Sequence, residues 1–167
     1  CTHLVTNKIV RTEKFIAAIT LGKQIVTSAW VNASLKAGVW ADVEEYRPLD
    51  DAGEYPGFSV GVSISRAKAK KLLSGFNVYA TPRVSPDWAI LKRLVECAGG
   101  KMIPPIPLGG DIPMGDKGKV ILVSCEEDEG MFGDKLRGFG VPLYSVEVLI
   151  GGLMDQQMKL DDPSLFL

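Results

Sequence analysis

The sequence predicts an α/β protein made of two similar modules, each a small parallel sheet flanked by helices. Three observations lead there. Thr2 to Leu35 aligns without a gap on Val120 to Leu153, matching Leu4, Val5, Thr6, Gly22, Ile25, Thr27, Val31 and Leu35 with Leu122, Val123, Ser124, Gly140, Leu143, Ser145, Leu149 and Leu153. One supersecondary unit used twice accounts for that match. Short apolar runs alternate with amphipathic helical runs, the pattern of a parallel sheet covered by helices. The 167 residues, 46% of them hydrophobic, suffice for one large core or two small ones, and the repeat favours two.

His3 to Thr6 reads as a short buried strand. A helix follows from Thr12 to Ile19, with Thr12 as hydroxyl cap and Phe15, Ala18 and Ile19 on one face, and Gly22 ends it. Gln24 to Val26 is a second strand, after which Thr27 is placed to cap a helix holding Trp30, Val31 and Leu35 up to Gly38. From Asp42 to Gly61 the chain is acidic and rich in proline and glycine, and reads as an ordered connector. Ser65 to Leu73, with four basic residues and an apolar end, reads as a linker helix whose Lys68, Lys70 and Lys71 form a solvated face.

Phe76 to Ala80 opens the second module as a strand. Ser85 as hydroxyl cap, Pro86 in the first turn and Asp87 beside it begin a helix with the stripe Trp88, Leu91, Leu94, Val95 and Ala98, which Gly99 and Gly100 close. Met102 to Ile106 is expected as a short strand, 104 to 118 as a loop, Lys119 to Ser124 as a core strand and Met131 to Phe139 as a weak helix. Leu143 and Tyr144 form a strand, and Ser145 is placed to cap the last helix. By the repeat offset Cys1 corresponds to Lys119, so the first module has no counterpart here of the residues from Gly75 to Gly118. Its opening strand, first helix and second strand are not in this sequence.

Composition excludes several function classes. A net charge of −1 provides no overall field toward nucleic acid or an anionic membrane. No apolar run approaches the roughly 20 residues of a membrane helix, and no signal peptide opens the chain. Neither nucleic acid nor membrane is an expected partner. Three scattered cysteines and a single histidine form neither a disulfide framework nor a zinc pattern, so no cofactor or metal is expected.

Catalytic motifs fail at specific residues. Gly110 to Gly115 has the glycine spacing of a phosphate loop, but Asp116 stands where lysine is required and no hydroxyl follows Lys117. Cys125 follows a core strand as a phosphatase nucleophile would, yet Glu126, Glu127, Asp128 and Glu129 come next and would repel phosphate and raise the thiol pKa. His3 has no cysteine or carboxylate partner nearby in sequence and reads as a packed or hydrogen-bonded side chain. No enzyme is expected.

The turn Arg11, Thr12, Glu13, Lys14 is different. The N-terminus of a helix carries partial positive charge, so cations there are disfavoured unless an anion binds. Free amides, a hydroxyl and two cations on one face make an anion pocket. A solvated surface lysine softened by Glu13 fits the same spacing, and the spacing alone leaves both open. The second module carries Glu129 and Phe132 at the positions of Arg11 and Lys14, so the pocket belongs to the first.

Thr2 to Val5, Arg11 to Phe15, Ile25 to Val31 with its Trp30, and Cys97 to Gly100 together resemble a tandem BRCT domain over essentially the whole chain. Ser65 to Gly75 followed by Tyr79 to Pro82 is similar to the checkpoint-mediator branch, whose members read phosphorylated histone tails at DNA breaks. The resemblance implies a first repeat over 1–50, N-terminally incomplete, a connector and linker helix over 51–74, and a second repeat over 75–167. It implies a nuclear, non-enzymatic module that binds a phosphoserine-containing protein, with a phosphorylated histone C-terminal tail as the expected ligand. Lys14 and Thr12 would hold the phosphate, and Arg11 the peptide backbone or a terminal carboxylate. Ile16, Ser85, Pro86, Val146 and Ile150 would line a groove for the third residue after the phosphoserine.

The chain departs from the family pattern at several positions. Val146 stands where a relative has arginine, Val148 replaces the second repeat's tryptophan, and Glu13 replaces an apolar residue. The family's hydroxyl and glycine phosphate ligands sit on the first strand of the first repeat, which this sequence does not contain. A phosphate-independent BRCT scaffold is the alternative function.

Overall fold

A computed structural model describes residues 1–49, 53–105, 117–138 and 140–167. The first module contains β1 (His3–Val5), α1 (Glu13–Thr20), β2 (Gln24–Val26) and α2 (Ser28–Ala37). After a 3-10 turn at Glu44–Tyr46, α3 (Val60–Ala69) leads to the second module: β3 (Asn77–Ala80), α4 (Trp88–Cys97), β4 (Lys101–Met102), β5 (Val120–Val123), α5 (Glu126–Arg137), β6 (Leu143–Tyr144) and α6 (Glu147–Asp155). β1 and β2 pair in parallel, and the second sheet has the order β4-β3-β5-β6 with every pair parallel. The repeat inferred from sequence is therefore a repeat in space, with β1, β2 and α2 corresponding to β5, β6 and α6.

Helix α1 joins the modules. Thr12 caps it, its hydroxyl accepting the Phe15 N–H at 3.4 Å. Its apolar positions bury Phe15, Ile16 and Ile19 at 0–1% exposure, and the helix packs against α3, α4 and α6. Each such side chain contributes roughly 1.5–3 kcal/mol. A buried hydrogen bond, Gln156 Nε2 to Thr20 Oγ1 at 3.2 Å, and an exposed one from Arg66 to the Asp155 carbonyl at 3.0 Å fasten the remaining end of the junction. The four-stranded sheet has two apolar faces. Val78, Ala80, Ile121 and Val123 belong to the main core shared with α1, α4 and α6, whereas Tyr79, Val120, Leu122 and Leu143 pack with Phe132 of α5.

The structure differs from the sequence expectation at several element ends. The linker helix covers Val60–Ala69 instead of Ser65 to Leu73, because the Ser59 hydroxyl caps it and Val60, Ile64 and Ala67 form its buried stripe. Helix α5 begins at Glu126 instead of Met131. Its four acidic residues form the first turn, where carboxylates complement the helix dipole. Asp87, not Ser85, caps α4, accepting the Ile90 N–H at 2.9 Å, while Ser85 and Pro86 precede the helix. The Thr27 hydroxyl makes no cap bond; Asn7 Oδ1 takes the Ser28 N–H at 2.9 Å instead. Ser145 likewise precedes the N-cap of α6, which is Val146 with no side-chain cap. The strand expected from Met102 ends there, and Ile106 and the glycine pattern 110–115 lie outside the described residues. The paired glycines closing α4 have separate tasks: Gly99 adopts φ 82°, and a Cβ on Gly100 would meet Leu73 Cβ at 2.9 Å.

One helix is covered on one side only. Val31 and Leu35 of α2 are 43% and 80% exposed, while their counterparts Leu149 and Leu153 are fully buried. In the second module the main core, with β3 and α4, covers that position. The first module has no equivalent of those elements among the described residues.

Candidate functional site

Where α1 meets the second module, a cleft of about 330 Å³ opens between Arg11, Glu13 and Ile16 on one side and Ser85, Pro86, Ile90, Leu94, Val146, Glu147 and Ile150 on the other. The Arg11 side of it is the start of α1, the Pro86 side is the turn entering α4, and the Val146 side is the start of α6. Six residues singled out from sequence thus converge on one space: Arg11, Ile16, Ser85, Pro86, Val146 and Ile150. Ile16 and Ile150 form a buried apolar floor at 1% and 7% exposure. Lys14 and Thr12 do not line this cleft. Both are exposed at the N-terminus of the same helix, and the Thr12 hydroxyl is engaged in capping.

Charged residues that sequence reasoning missed border the cleft. Arg11 pairs with Glu147, and Arg93 grips Glu13 through two hydrogen bonds of 2.6 and 3.2 Å. Both pairs cross from one module to the other. The Arg93 bonds hold the Glu13 carboxyl below its usual range against an opposing effect of burial, and Glu13 in turn raises Arg93. These partners lie 80 and 136 residues apart in sequence. The local signal is that Glu13 and Glu147 each occupy the first turn of a helix, where an acid is favoured.

The Glu13 shift predicts a pH dependence. Its folded pKa is depressed, so the stabilisation is present above the unfolded carboxylate value and is lost as pH falls through the depressed one. Thermal midpoints of the wild type should therefore fall more steeply below about pH 4.5 than those of Glu13→Gln. Parallel profiles would assign the acid sensitivity to other carboxylates.

Other candidates carry no comparable arrangement. Burial pushes the Cys125 thiol up, with a hydrogen bond to Glu127 adding to it, and burial does the same to Cys97. Neither is activated as a thiolate nucleophile. His3 stacks on Trp30 with ring centroids 4.7 Å apart, as a packed histidine would. Among the described residues no group of three or more His, Cys, Asp or Glu is placed to hold a metal ion, and no helix is long and apolar enough to cross a membrane. A larger hollow of about 700 Å³ lies against Val31, Leu35, Val39 and Trp40. Its lining contains no charged side chain and coincides with the uncovered face of α2.

Comparison with known proteins gives the family. Residues 1–48 match the family model of the "Regulator of Ty1 transposition protein 107 BRCT domain", and residues 71–164 match that of the "BRCT domain". The mediator of DNA damage checkpoint protein 1 of Homo sapiens is 34% identical over 158 residues, covering 94% of this chain and 7% of that protein. The chain thus spans a small part of such relatives. Among solved structures, the BRCT5-BRCT6 domains of S. pombe Brc1 superpose with a TM-score of 0.76 at 26% identity, covering 97% of this chain and 81% of that one. A complex of Rtt107p with a phosphorylated histone superposes with a TM-score of 0.68 at 12% identity, covering 99% and 75%, a likeness of fold. With one family model covering more than half of the chain and a second covering its opening, in the same parallel α/β architecture, the chain belongs to the BRCT family and carries a tandem pair of its repeats.

Proposed function

We propose that this BRCT pair, related to DNA damage checkpoint mediators, is a phosphoserine-peptide binding module of a nuclear DNA-damage response scaffold, and that its ligand is a phosphorylated histone C-terminal tail. The proposal divides the chain into a first repeat over 1–50, a connector with linker helix over 51–74 and a second repeat over 75–167. It assigns no catalytic step. The observation that carries it is the convergence of Arg11, Ile16, Ser85, Pro86, Val146 and Ile150 on one cleft between the repeats, beside the helix start that presents Thr12 and Lys14. Lys14 neutralises the phosphate, Thr12 keeps the α1 amides in position to face it, and the apolar floor takes the third residue after the phosphoserine. Support from relatives is general: one is named a checkpoint mediator, and one structure of the same fold contains a phosphorylated histone.

Arg11 reads the end of the peptide. It is already paired with Glu147, so a peptide carboxylate gains only the difference between the two partners. Amidating the C-terminus of a peptide that ends a few residues after its phosphoserine should weaken binding severalfold, and Arg11→Gln should remove most of that difference. Acid and amide peptides that bind alike would restrict Arg11 to holding peptide backbone. These measurements call for a chain in which the first repeat is complete.

The alternative is a scaffold indifferent to phosphate. The exposed apolar face of Val31 and Leu35 does not favour it, because their counterparts Leu149 and Leu153 lie in the core of the second repeat, so a complete first repeat is expected to cover that face. Binding to a partner that survives both dephosphorylation and Lys14→Met is the result that alternative requires.

A further inference from the structure

Arg66 differs from the other arginines among the described residues. Arg11, Arg47, Arg83, Arg93 and Arg137 each pair with a carboxylate, that of Glu147, Glu44, Asp128, Glu13 and Glu129 respectively. Arg66, exposed in the last turn of α3, uses one guanidinium nitrogen for the backbone carbonyl of Asp155 and pairs with no carboxylate among the described residues. The Asp155 carboxylate goes to Lys159 instead, at 3.3 Å.

Arg66 lines a groove of about 550 Å³ between the end of α3, the entry to β3 and the turn that ends α6. Lys70 lines it too, exposed just beyond the helix, and no carboxylate side chain belongs to the lining. Leu72, Phe76 and Met158 give the groove an apolar part, each packed against the main core and still partly exposed. Met158 can lie there because Gly152 has no side chain: a Cβ on Gly152 would meet Met158 Sδ at 2.6 Å.

The basic run that reads as one solvated face in the sequence separates in space. Lys71 Nζ reaches the Cys97 carbonyl at 2.8 Å and the stem of Lys68 lies over Gly22, while Lys70 joins Arg66 at the groove. The dipole of α3 favours cations in its last turn. It does not explain why two of them share a hollow with three apolar side chains and no acid.

A guanidinium without a partner matches a carboxylate through paired hydrogen bonds, and the apolar part suits a side chain lying between acids. A nucleic-acid strand calls for cations and stacking rings in succession along its path, and this groove is lined by two cations and one ring. Its place sets it apart from the cleft described above. The cleft lies at the start of α6 and the groove at its end, about 13 Å along the helix axis. No residue from β1 to α2 lines the groove.

We propose that this groove is a second docking site, which takes an acidic peptide segment of a partner protein: Arg66 and Lys70 hold its carboxylates, and Leu72, Phe76 and Met158 receive an apolar side chain between them. The site is independent of the phosphopeptide reading.

The test uses the tandem pair with a complete first repeat and, as probe, a short labelled peptide of aspartates and glutamates around a central leucine and phenylalanine, followed by fluorescence anisotropy. Binding should be saturable, and Arg66→Gln should weaken it about tenfold or more. Replacing the two apolar residues of the peptide by serine should weaken it severalfold. Should Arg66→Gln disturb the junction through its Asp155 contact, as a lowered thermal midpoint would show, Lys70→Gln should still weaken binding severalfold. An excess of unlabelled phosphoserine peptide should leave the probe bound. The proposal is overturned by an absence of saturable binding, by affinities that neither variant changes, or by displacement with the phosphoserine peptide, which would put the acidic segment in the cleft. A labelled single-stranded oligonucleotide that binds more tightly than the peptide and is lost in Arg66→Gln would also overturn it, by making the groove a nucleic-acid site.

Discussion

Lys14→Met is expected to weaken phosphoserine-peptide binding by an order of magnitude or more while leaving the fold intact. Lys14 is exposed in the first turn of α1, away from the face that buries Phe15, Ile16 and Ile19, so its removal opens no cavity. The helix start already favours an anion through its free amides, and Lys14 adds charge where a dianionic phosphate would sit. A charge-assisted hydrogen bond contributes roughly 1.5–3 kcal/mol, which corresponds to about ten- to one-hundred-fold in affinity. Titrations of wild type and variant with one phosphopeptide, both in a tandem pair with a complete first repeat, alongside their thermal midpoints, separate lost recognition from lost structure. Equal affinities would remove Lys14 from the site.

Ile16→Glu should have the largest effect of any single change in the cleft, and on folding before binding. From sequence alone Ile16 belongs to a groove wall, where a charge would cost binding only. At 1% exposure it is also part of the junction between repeats, on the helix that α3, α4 and α6 enclose. A carboxylate placed there finds no cation on the buried side, since Arg93 is committed to Glu13 and Arg11 to Glu147. A buried uncompensated charge costs roughly 3–5 kcal/mol, a large share of the stability of a domain this size. Denaturant unfolding should show that loss, with protease sensitivity of the connector rising in parallel. A variant as stable as wild type would mean that the repeats separate readily and that the cleft is not a fixed feature.

Legibility follows the range of the interactions involved. The strand Gln24–Val26 and the helix after Thr12 are readable because a local cap, an apolar stripe and a glycine stop agree there. Helix α3 starts five residues before the sequence pattern suggests, because Gly61 and the acidic, proline-rich stretch before it resemble a loop, whereas burial of Val60 and Ile64 against the core overrides that tendency. Helix α5 is longer than its pattern for a similar reason: a run of four acids reads as solvated loop until the dipole of the helix they open is considered. Val31 and Leu35 have the spacing of core residues, but spacing reports which residues share a face and not whether anything covers it.

Within the site, the residues with a family signature are legible and their partners are not. Arg11, Ile16 and Pro86 have recognisable positions, but Glu147 and Ile90 reach the cleft, and Arg93 reaches Glu13 at its edge, only through the packing of α1 on α4 and α6. The same holds for Asp128, which local sequence places in an acidic run and which the turn after β3 withdraws completely from solvent.

Phosphate dependence of peptide binding tests the central claim most directly. The measurement compares one peptide in serine and phosphoserine forms, each ending a few residues after that serine, against the tandem pair with a complete first repeat. The phosphoserine form should bind at least about tenfold more tightly, and Lys14→Met should remove most of that preference. Equal affinities for the two forms would contradict phosphopeptide recognition and leave the scaffold reading.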